Sequence, residues 1–167
     1  SRDVSNAELY KKLSSLRLSL KEATSGEVEG RSFWDALENI FSCKGVTFSH
    51  GFQSLLSVIY VEALGIAPSF LLRGTFSTLV GIAAGKQSSN VRECAIYILG
   101  KVALVYGEGL GSSTTDAITT LAKVIRSYDL AVRTLPSDLT LRAAVYNTLS
   151  HITQGSPQHA VESHREL

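Results

Sequence analysis

The sequence contains no methionine, two cysteines and three prolines in 167 residues. Cys43 and Cys94 are too few for a disulfide framework, and neither has the close-spaced partner that a zinc site requires. Each is expected to be a small buried hydrophobic residue. This thiol content favours a reducing, intracellular setting, either the cytoplasm or the nucleus. The absence of methionine suggests that the chain is part of a longer protein.

The sequence also lacks an excess of charge of either sign. Its 16 Lys and Arg residues balance 15 Asp and Glu residues, which leaves a formal charge of +1 and makes nucleic acid a poor first choice of partner. No basic segment followed by an apolar run opens the chain, so no signal peptide is predicted. The weakly charged stretch 45–85 is interrupted by Gln53, Gly65 and Pro68, which favours buried helices over a membrane span.

Apolar residues recur at helical spacing through most of the chain. Leu9, Leu13, Leu16 and Leu20 share one face of a predicted first helix. Runs of β-branched residues lie inside longer segments of this kind, so an all-α class with stacked antiparallel helices is predicted. Residues 1–154 are predicted to form one domain, and 155–167 a polar, disordered tail. Seven helices are expected, over about 7–23, 32–45, 51–64, 68–84, 91–106, 114–128 and 139–153.

One internal repeat stands out at an offset of 50 residues. In each copy an apolar residue is followed directly by Arg. After one variable position come a small residue and then an apolar residue. A leucine lies four positions further on, and an aliphatic residue lies three positions after that leucine. A helix with this pattern packs against neighbours on two sides. The matched residues are Val91, Arg92, Cys94, Ala95, Leu99 and Val102, followed by Leu141, Arg142, Ala144, Val145, Leu149 and Ile152.

This pattern resembles the second helices of HEAT and armadillo repeats, in which Val-Arg or Leu-Arg precedes a small residue and a leucine. The resemblance covers 48–154, although the offset exceeds the usual repeat length and no proline-kinked first helix is visible. It implies an α-solenoid and a non-enzymatic scaffold or adaptor that binds other proteins, within a larger helical-repeat protein. The alternative is an irregular helical bundle in which the match is coincidental.

Five residues are candidate partner contacts. Phe33, Trp34 and Phe41 concentrate three aromatic side chains in one short helix, and aromatic groups dominate many interfaces. Their alternative role is to fill the core beneath the first helix. Arg92 and Arg142, which the two repeated segments share, complete the set.

Nucleic acid binding is the alternative function. Between residues 86 and 142 the basic side chains exceed the acidic ones by two, which would make such binding salt-dependent. The candidate residues are Lys86, Arg92, Lys101, Lys123, Arg126, Arg133 and Arg142.

Glycine-rich segments do not predict a nucleotide site. A phosphate loop with Lys86 as its lysine would need glycine at position 80 and serine or threonine at position 87. This sequence has Val80 and Gln87 there. Gly85 is instead expected to follow the end of a helix. The glycines of 107–111 follow a predicted helix and not a strand, so Gly107 is expected to end that helix.

Catalytic and metal-binding residues are also not apparent. The four histidines, His50, His151, His159 and His164, have no spacing that brings metal ligands together. No serine lies in a nucleophile elbow, and no paired carboxylates lie in an apolar segment. We therefore predict no enzymatic activity, no cofactor and no metal ion.

Overall fold

The computed structural model describes residues 5–130 and 136–155, with the side chains of 5–126 and 141–155. In these ranges the chain forms eight helices and no strand, so the all-α prediction is confirmed. Contacts between residues divide the chain into two compact units, Ser1–Leu71 and Leu72–Leu167. The predicted tail lies outside the described residues except for Gly155, which ends the last helix.

The described residues of the first unit form four helices. Its second helix was not predicted, because five residues are too few for a periodic apolar pattern. It begins after Thr24, whose backbone N–H donates to Glu27 Oε2 at 2.7 Å. Gly26 lies inside this second helix. The helices are α1 (Asn6–Leu20), α2 (Ser25–Glu29), α3 (Arg31–Ile40) and α4 (His50–Ile66).

Helix α1 covers the core of the first unit with the predicted leucine face. Leu9, Leu13 and Leu20 are buried, and Ser5 caps the helix by accepting a hydrogen bond from the Glu8 backbone N–H at 3.2 Å. Helix α4 is buried on several sides, as its nearly continuous apolar sequence predicts.

Helices α1 and α4 run parallel to each other. Thr47 N donates to Asn6 Oδ1 at 3.1 Å near one end. Near the other end, Arg17 Nε lies 3.9 Å from Glu62 Oε1. From the first contact to the second, the residue numbers increase along both helices, so the two helices run in the same direction.

The described part of the second unit also contains four helices, and the first of them begins at the boundary between the units. Helix α5 starts after Pro68, whose backbone carbonyl accepts a hydrogen bond from the N–H of Leu71 at 3.0 Å. The predicted start at Pro68 is therefore three residues early. The helices are α5 (Leu71–Ala84), α6 (Ser89–Leu110), α7 (Ser113–Leu130) and α8 (Pro136–Gly155).

Helix α6 is longer than predicted. It begins at Ser89, two residues before the predicted start, and its cap is Ser88, whose hydroxyl accepts from the Val91 backbone N–H at 3.4 Å. At Tyr106 the backbone leaves helical geometry, with φ −115° and ψ 17°, but the helix resumes. The prediction that Gly107 ends this helix is wrong, because the fully buried side chain of Leu110 anchors a further turn. Gly111, with φ 54°, follows the end.

Helices α5 and α6 form an antiparallel pair. Arg73 Nε, near the start of α5, donates to the Gly109 carbonyl at 3.3 Å. Arg92 Nε, near the start of α6, donates to the Ala83 carbonyl at 2.9 Å. The beginning of each helix thus contacts the end of the other.

Helices α6 and α8 are parallel and pack most extensively of all the pairs in this unit. Thr148 Oγ1 donates to the Ile96 carbonyl at 2.9 Å. A Cβ placed on Gly100 would lie 2.8 Å from the same Oγ1, and one placed on Gly155 would overlap the Ala103 carbonyl. Small residues therefore allow the two backbones to approach closely.

Candidate interaction surfaces

Trp34, a predicted partner contact, lies in the core of the first unit. It is 6% exposed, and its Nε1–H donates to the Val28 carbonyl at 2.7 Å. Its ring centroid lies 6.0 Å from that of Tyr60 and 5.1 Å from that of Phe33, in an edge arrangement with the latter. The hydrogen bond satisfies the one polar atom of the indole, which is what burial of Trp requires. The side chain holds α2, α3 and α4 together.

Phe41 is also buried, in a second aromatic cluster. It stacks on Phe48 with ring centroids 6.0 Å apart. Phe48 in turn meets Phe52 edge-on at 5.3 Å, and Phe52 lies 6.4 Å from Tyr10 of α1. These contacts place Phe41 in the core. Of the three predicted aromatic contacts, only Phe33 is half-exposed.

Both predicted arginines are half-buried. Arg92 is the fourth residue of α6, and Arg142 is the seventh residue of α8. Arg92 donates to the Ala83 carbonyl, which would otherwise be one of the unsatisfied groups of the last turn of α5. This bond gives Arg92 a structural role between α5 and α6.

The cations of the nucleic-acid alternative are spread over several elements. Lys101 Nζ lies 5.5 Å from the ring centroid of Tyr97, in a cation–π arrangement. Lys86 and Lys123 are exposed, on the α5–α6 turn and on α7 respectively. Arg133 lies outside the described residues.

Large apolar side chains are exposed at positions that sequence reasoning did not identify. Those on α1 and α8 lie away from the buried face of the helix. In the sequence, such an exposed side chain could be recognised only as an apolar residue outside the periodic pattern. They are Tyr10 at 47%, Leu18 at 63%, Phe70 at 70%, Val105 at 56% and Tyr146 at 46% exposure.

The glycines considered for nucleotide binding lie in helices or at their ends. Helix α5 ends at Ala84, as predicted, and the Gly85 N–H donates to the Ile82 carbonyl at 3.1 Å. An open depression of about 530 Å³ lies there, lined by Thr78, Gly81, Ile82, Gly85, Lys86 and Gln87. A second, of about 420 Å³, lies at the bend of α6 and is lined mainly by residues 104–109 with Gln154 and Gly155.

Three ionisable groups of the second unit have shifted pKa values. Burial, and then the neighbouring Glu93, raise the pKa of the Cys94 thiol far above its usual range. Burial also raises the pKa of Tyr106. Loss of solvation, together with the charge of Lys101, lowers the pKa of His151. These shifts disfavour the charged form of each group.

The described residues contain no group of three or more His, Cys, Asp or Glu side chains placed to hold a metal ion. Among the same residues, no helix has both the length and the apolar character needed to cross a bilayer. The chain matches no protein-family model, and comparison with curated proteins and with solved structures yields no match either.

Proposed function

We propose that this chain is a non-enzymatic helical-repeat scaffold that binds other proteins. The observation that carries the proposal is the packing of α6 against α8. The two helices that carry the sequence repeat are parallel and contact each other directly, with Ile96 opposite Thr148. Ile96 and Thr148 are 52 residues apart in the chain, which is close to the 50 residues that separate the two copies of the sequence pattern. Equivalent helices that stack in register are the basic feature of a solenoid.

The helix directions support the same architecture. Helix α5 is antiparallel to α6, and only Gly111 and Ser112 separate α6 from α7. A connection this short joins antiparallel neighbours. The second unit is therefore consistent with two helical hairpins, α5–α6 and α7–α8, which we interpret as two repeats.

The burial of matched residues provides further support. Leu99 and Leu149 are 0% and 2% exposed, and Val102 and Ile152 are both 0% exposed. Each pair occupies the same position in the repeated pattern. We infer that the same packing requirement acts on both helices, as it would in adjoining repeats of a larger scaffold inside the cell.

A capture experiment tests the scaffold function. The chain is immobilised and exposed to nuclease-treated extract of its source cells, and retained proteins are quantified by mass spectrometry. We expect specific proteins to be retained by the wild type and lost with Phe33→Ser, since Phe33 is half-exposed and an aromatic anchor contributes strongly to binding. Leu18→Ser is the matched control, because Leu18 is an exposed apolar residue on another helix.

Two outcomes would contradict the proposal. Retention of no protein above the level of an unrelated helical protein would remove the scaffold function. Salt-sensitive binding of a labelled nucleic acid, with no protein retained, would favour the alternative function.

A further inference from the structure

The parallel packing of α6 and α8 brings four polar side chains to one surface of the second unit. Tyr97 and Lys101 are four residues apart and share a face of α6, as Asn147 and His151 do on α8. The charge of Lys101 acts on His151, so the two faces meet along the line of contact between the helices. We call these four residues the Lys101 cluster.

The Lys101 cluster has few partners inside the fold. Lys101 forms no ion pair with any described residue, and its Nζ lies 5.5 Å from the ring centroid of Tyr97. Within the same part of the chain, the side chains of Tyr97, Asn147 and His151 form no hydrogen bond. Asn147 is exposed, and the other three side chains are half-buried. Their donors therefore remain able to bind a group from another molecule.

The positive charge of the cluster is not neutralised by a nearby carboxylate. Lys101 is the one charged residue of segment 94–107, and segment 141–155 contains no Asp or Glu. The acidic residues of α6 are Glu93 and Glu108, which lie roughly 12 Å and roughly 10 Å from Lys101 along the helix axis. Both are too far away for an ion pair.

His151 responds to this uncompensated charge. Burial, and then the charge of Lys101, lower its pKa. No carboxylate among the described side chains offsets that effect. The other charged groups described on the helices that pack against α8 are Arg92, Glu93 and Glu108 on α6, and Asp116, Lys123 and Arg126 on α7. An anion bound between Lys101 and His151 would supply the missing negative charge.

We propose that the Lys101 cluster binds the carboxylate side chain of an acidic peptide segment in a partner protein. The Lys101 ammonium forms the ion pair, and the Tyr97 hydroxyl and the Asn147 amide donate hydrogen bonds to the carboxylate oxygens. His151 adds a further N–H donor. Because the lysine is half-buried, the pair is less screened than one on an open surface. This inference names the chemistry of the partner and rests on the proposed scaffold function.

The surroundings of the cluster favour a peptide over a nucleic acid. A nucleic acid presents a phosphate at every nucleotide and is bound by several cations, whereas the cluster has one lysine. Val105, one turn beyond Lys101, is 56% exposed and lines the depression of about 420 Å³ at the bend of α6. A peptide with an apolar residue close to its acidic one fits both features.

Two immobilised libraries of short peptides test the proposal on the labelled full chain. The libraries are alike except at the central position, which is Glu in one and Gln in the other, and all other positions vary among uncharged residues. Because Glu and Gln have the same shape, a difference in binding reports the charge. The wild type is compared with Lys101→Met, which removes the ammonium, and with His151→Gln. The matched control is Lys86→Met, since Lys86 is an exposed lysine of the same unit.

We expect the wild type and Lys86→Met to bind the glutamate peptides about fivefold more tightly than the glutamine peptides, as one charge-assisted contact provides. Lys101→Met should bind both equally. Nuclear magnetic resonance should show the pKa of His151 rising when a glutamate peptide binds, because the carboxylate favours the imidazolium. Binding by the wild type should therefore tighten between about pH 7.5 and about pH 6, and the change should be smaller in His151→Gln.

Three results would overturn the proposal. They are a wild type that binds neither library above the level of an unrelated helical protein, equal binding of both libraries, and a preference for glutamate that survives in Lys101→Met. Circular dichroism and urea midpoints show whether each variant is folded, and Lys86→Met shows whether loss of any lysine has the same effect.

Two further comparisons separate this inference from the others. If the peptides fail while the wild type still retains proteins in the capture experiment, the acidic-peptide site is wrong and the scaffold function stands. Retention of no protein would remove the scaffold function whatever the peptides show. Salt-sensitive binding of a labelled oligonucleotide that requires Lys101, without a preference for glutamate, would overturn the proposal and assign the cluster to phosphate.

Discussion

At the scale of single residues, the contact between α6 and α8 depends on glycine. Gly100 lies opposite Thr148, and an added Cβ would approach the Thr148 Oγ1, Cα and Cβ atoms to 2.8, 3.2 and 3.2 Å. Such distances force a side chain or a helix to move. The hydrogen bond from Thr148 to Ile96 would be displaced as well. Position 100 thus has no room for a side chain at this contact.

Gly100→Ala should therefore destabilise the protein by about 1–3 kcal/mol through overpacking. The matched control is Gly81→Ala, because Gly81 also lies inside a helix but has open space where the Cβ would go. There the better helix propensity of alanine should stabilise the protein by about 0.5–1 kcal/mol. Urea denaturation measures both free energies. Equal effects of the two substitutions would show that Gly100 is not at a close contact.

The two cysteines should differ in reactivity towards a thiol reagent. Cys94 is fully buried and its raised pKa disfavours the reactive thiolate, whereas Cys43 is half-exposed. We expect one thiol per chain to react with Ellman's reagent in the native protein, and the second to react only as the protein unfolds. The absence of the fast phase in Cys43→Ser would identify Cys43 as the reactive thiol. Two rapidly reacting thiols would mean that α6 is accessible to solvent.

His151 should make stability depend on pH. Its pKa in the folded chain lies below the ordinary value of 6.5, because partial burial and then Lys101 disfavour the imidazolium. As pH falls through 6.5, the unfolded chain therefore binds a proton before the folded chain does, and stability decreases. We expect the free energy of unfolding of the wild type to fall more between pH 7.5 and pH 5.5 than that of His151→Gln. Parallel curves for the two proteins would contradict this.

At the scale of helices, sequence periodicity predicted the type and approximate position of every long element. Apolar stripes identified α1 and α4–α8, because burial on one or more sides demands them over several turns. The ends were less predictable. Gly107 lies inside α6 because burial of Leu110 outweighs the tendency of glycine to end a helix. Helix α2 was missed because a capped single turn leaves no periodic signal.

Equivalence of α6 and α8 predicts equal effects of matched substitutions. Leu99→Ala and Leu149→Ala should each cost about 2–5 kcal/mol, because both side chains are buried and their removal leaves a cavity. Leu18→Ala is the control and should cost less than about 0.5 kcal/mol, because Leu18 is 63% exposed. Chemical denaturation provides the comparison. A loss below about 0.5 kcal/mol for Leu149→Ala alone would show that α8 is peripheral and not a repeat of α6.

At the scale of the whole molecule, surface properties were the least predictable from sequence. Aromatic content singled out Trp34 and Phe41, yet both are buried, because an apolar pattern does not distinguish a core position from an interface position. Conversely, Tyr10 and Leu18 are exposed outside the leucine stripe of α1. Only the structure separates these cases, since exposure depends on which helices cover a residue. The role of Arg92 is likewise visible only in the structure, where its hydrogen bond to the Ala83 carbonyl joins two helices.

The parallel stacking of α6 and α8 is the feature on which the scaffold proposal depends. Nuclear Overhauser effects measured on the isotope-labelled chain test it most directly. We predict cross-peaks between the Thr148 methyl group and the Gly100 Hα protons, and between Gly155 and Ala103, because both contacts exist only when the helices run in the same direction. Cross-peaks that instead join Ile96 to Gly155 would show antiparallel helices and contradict the account.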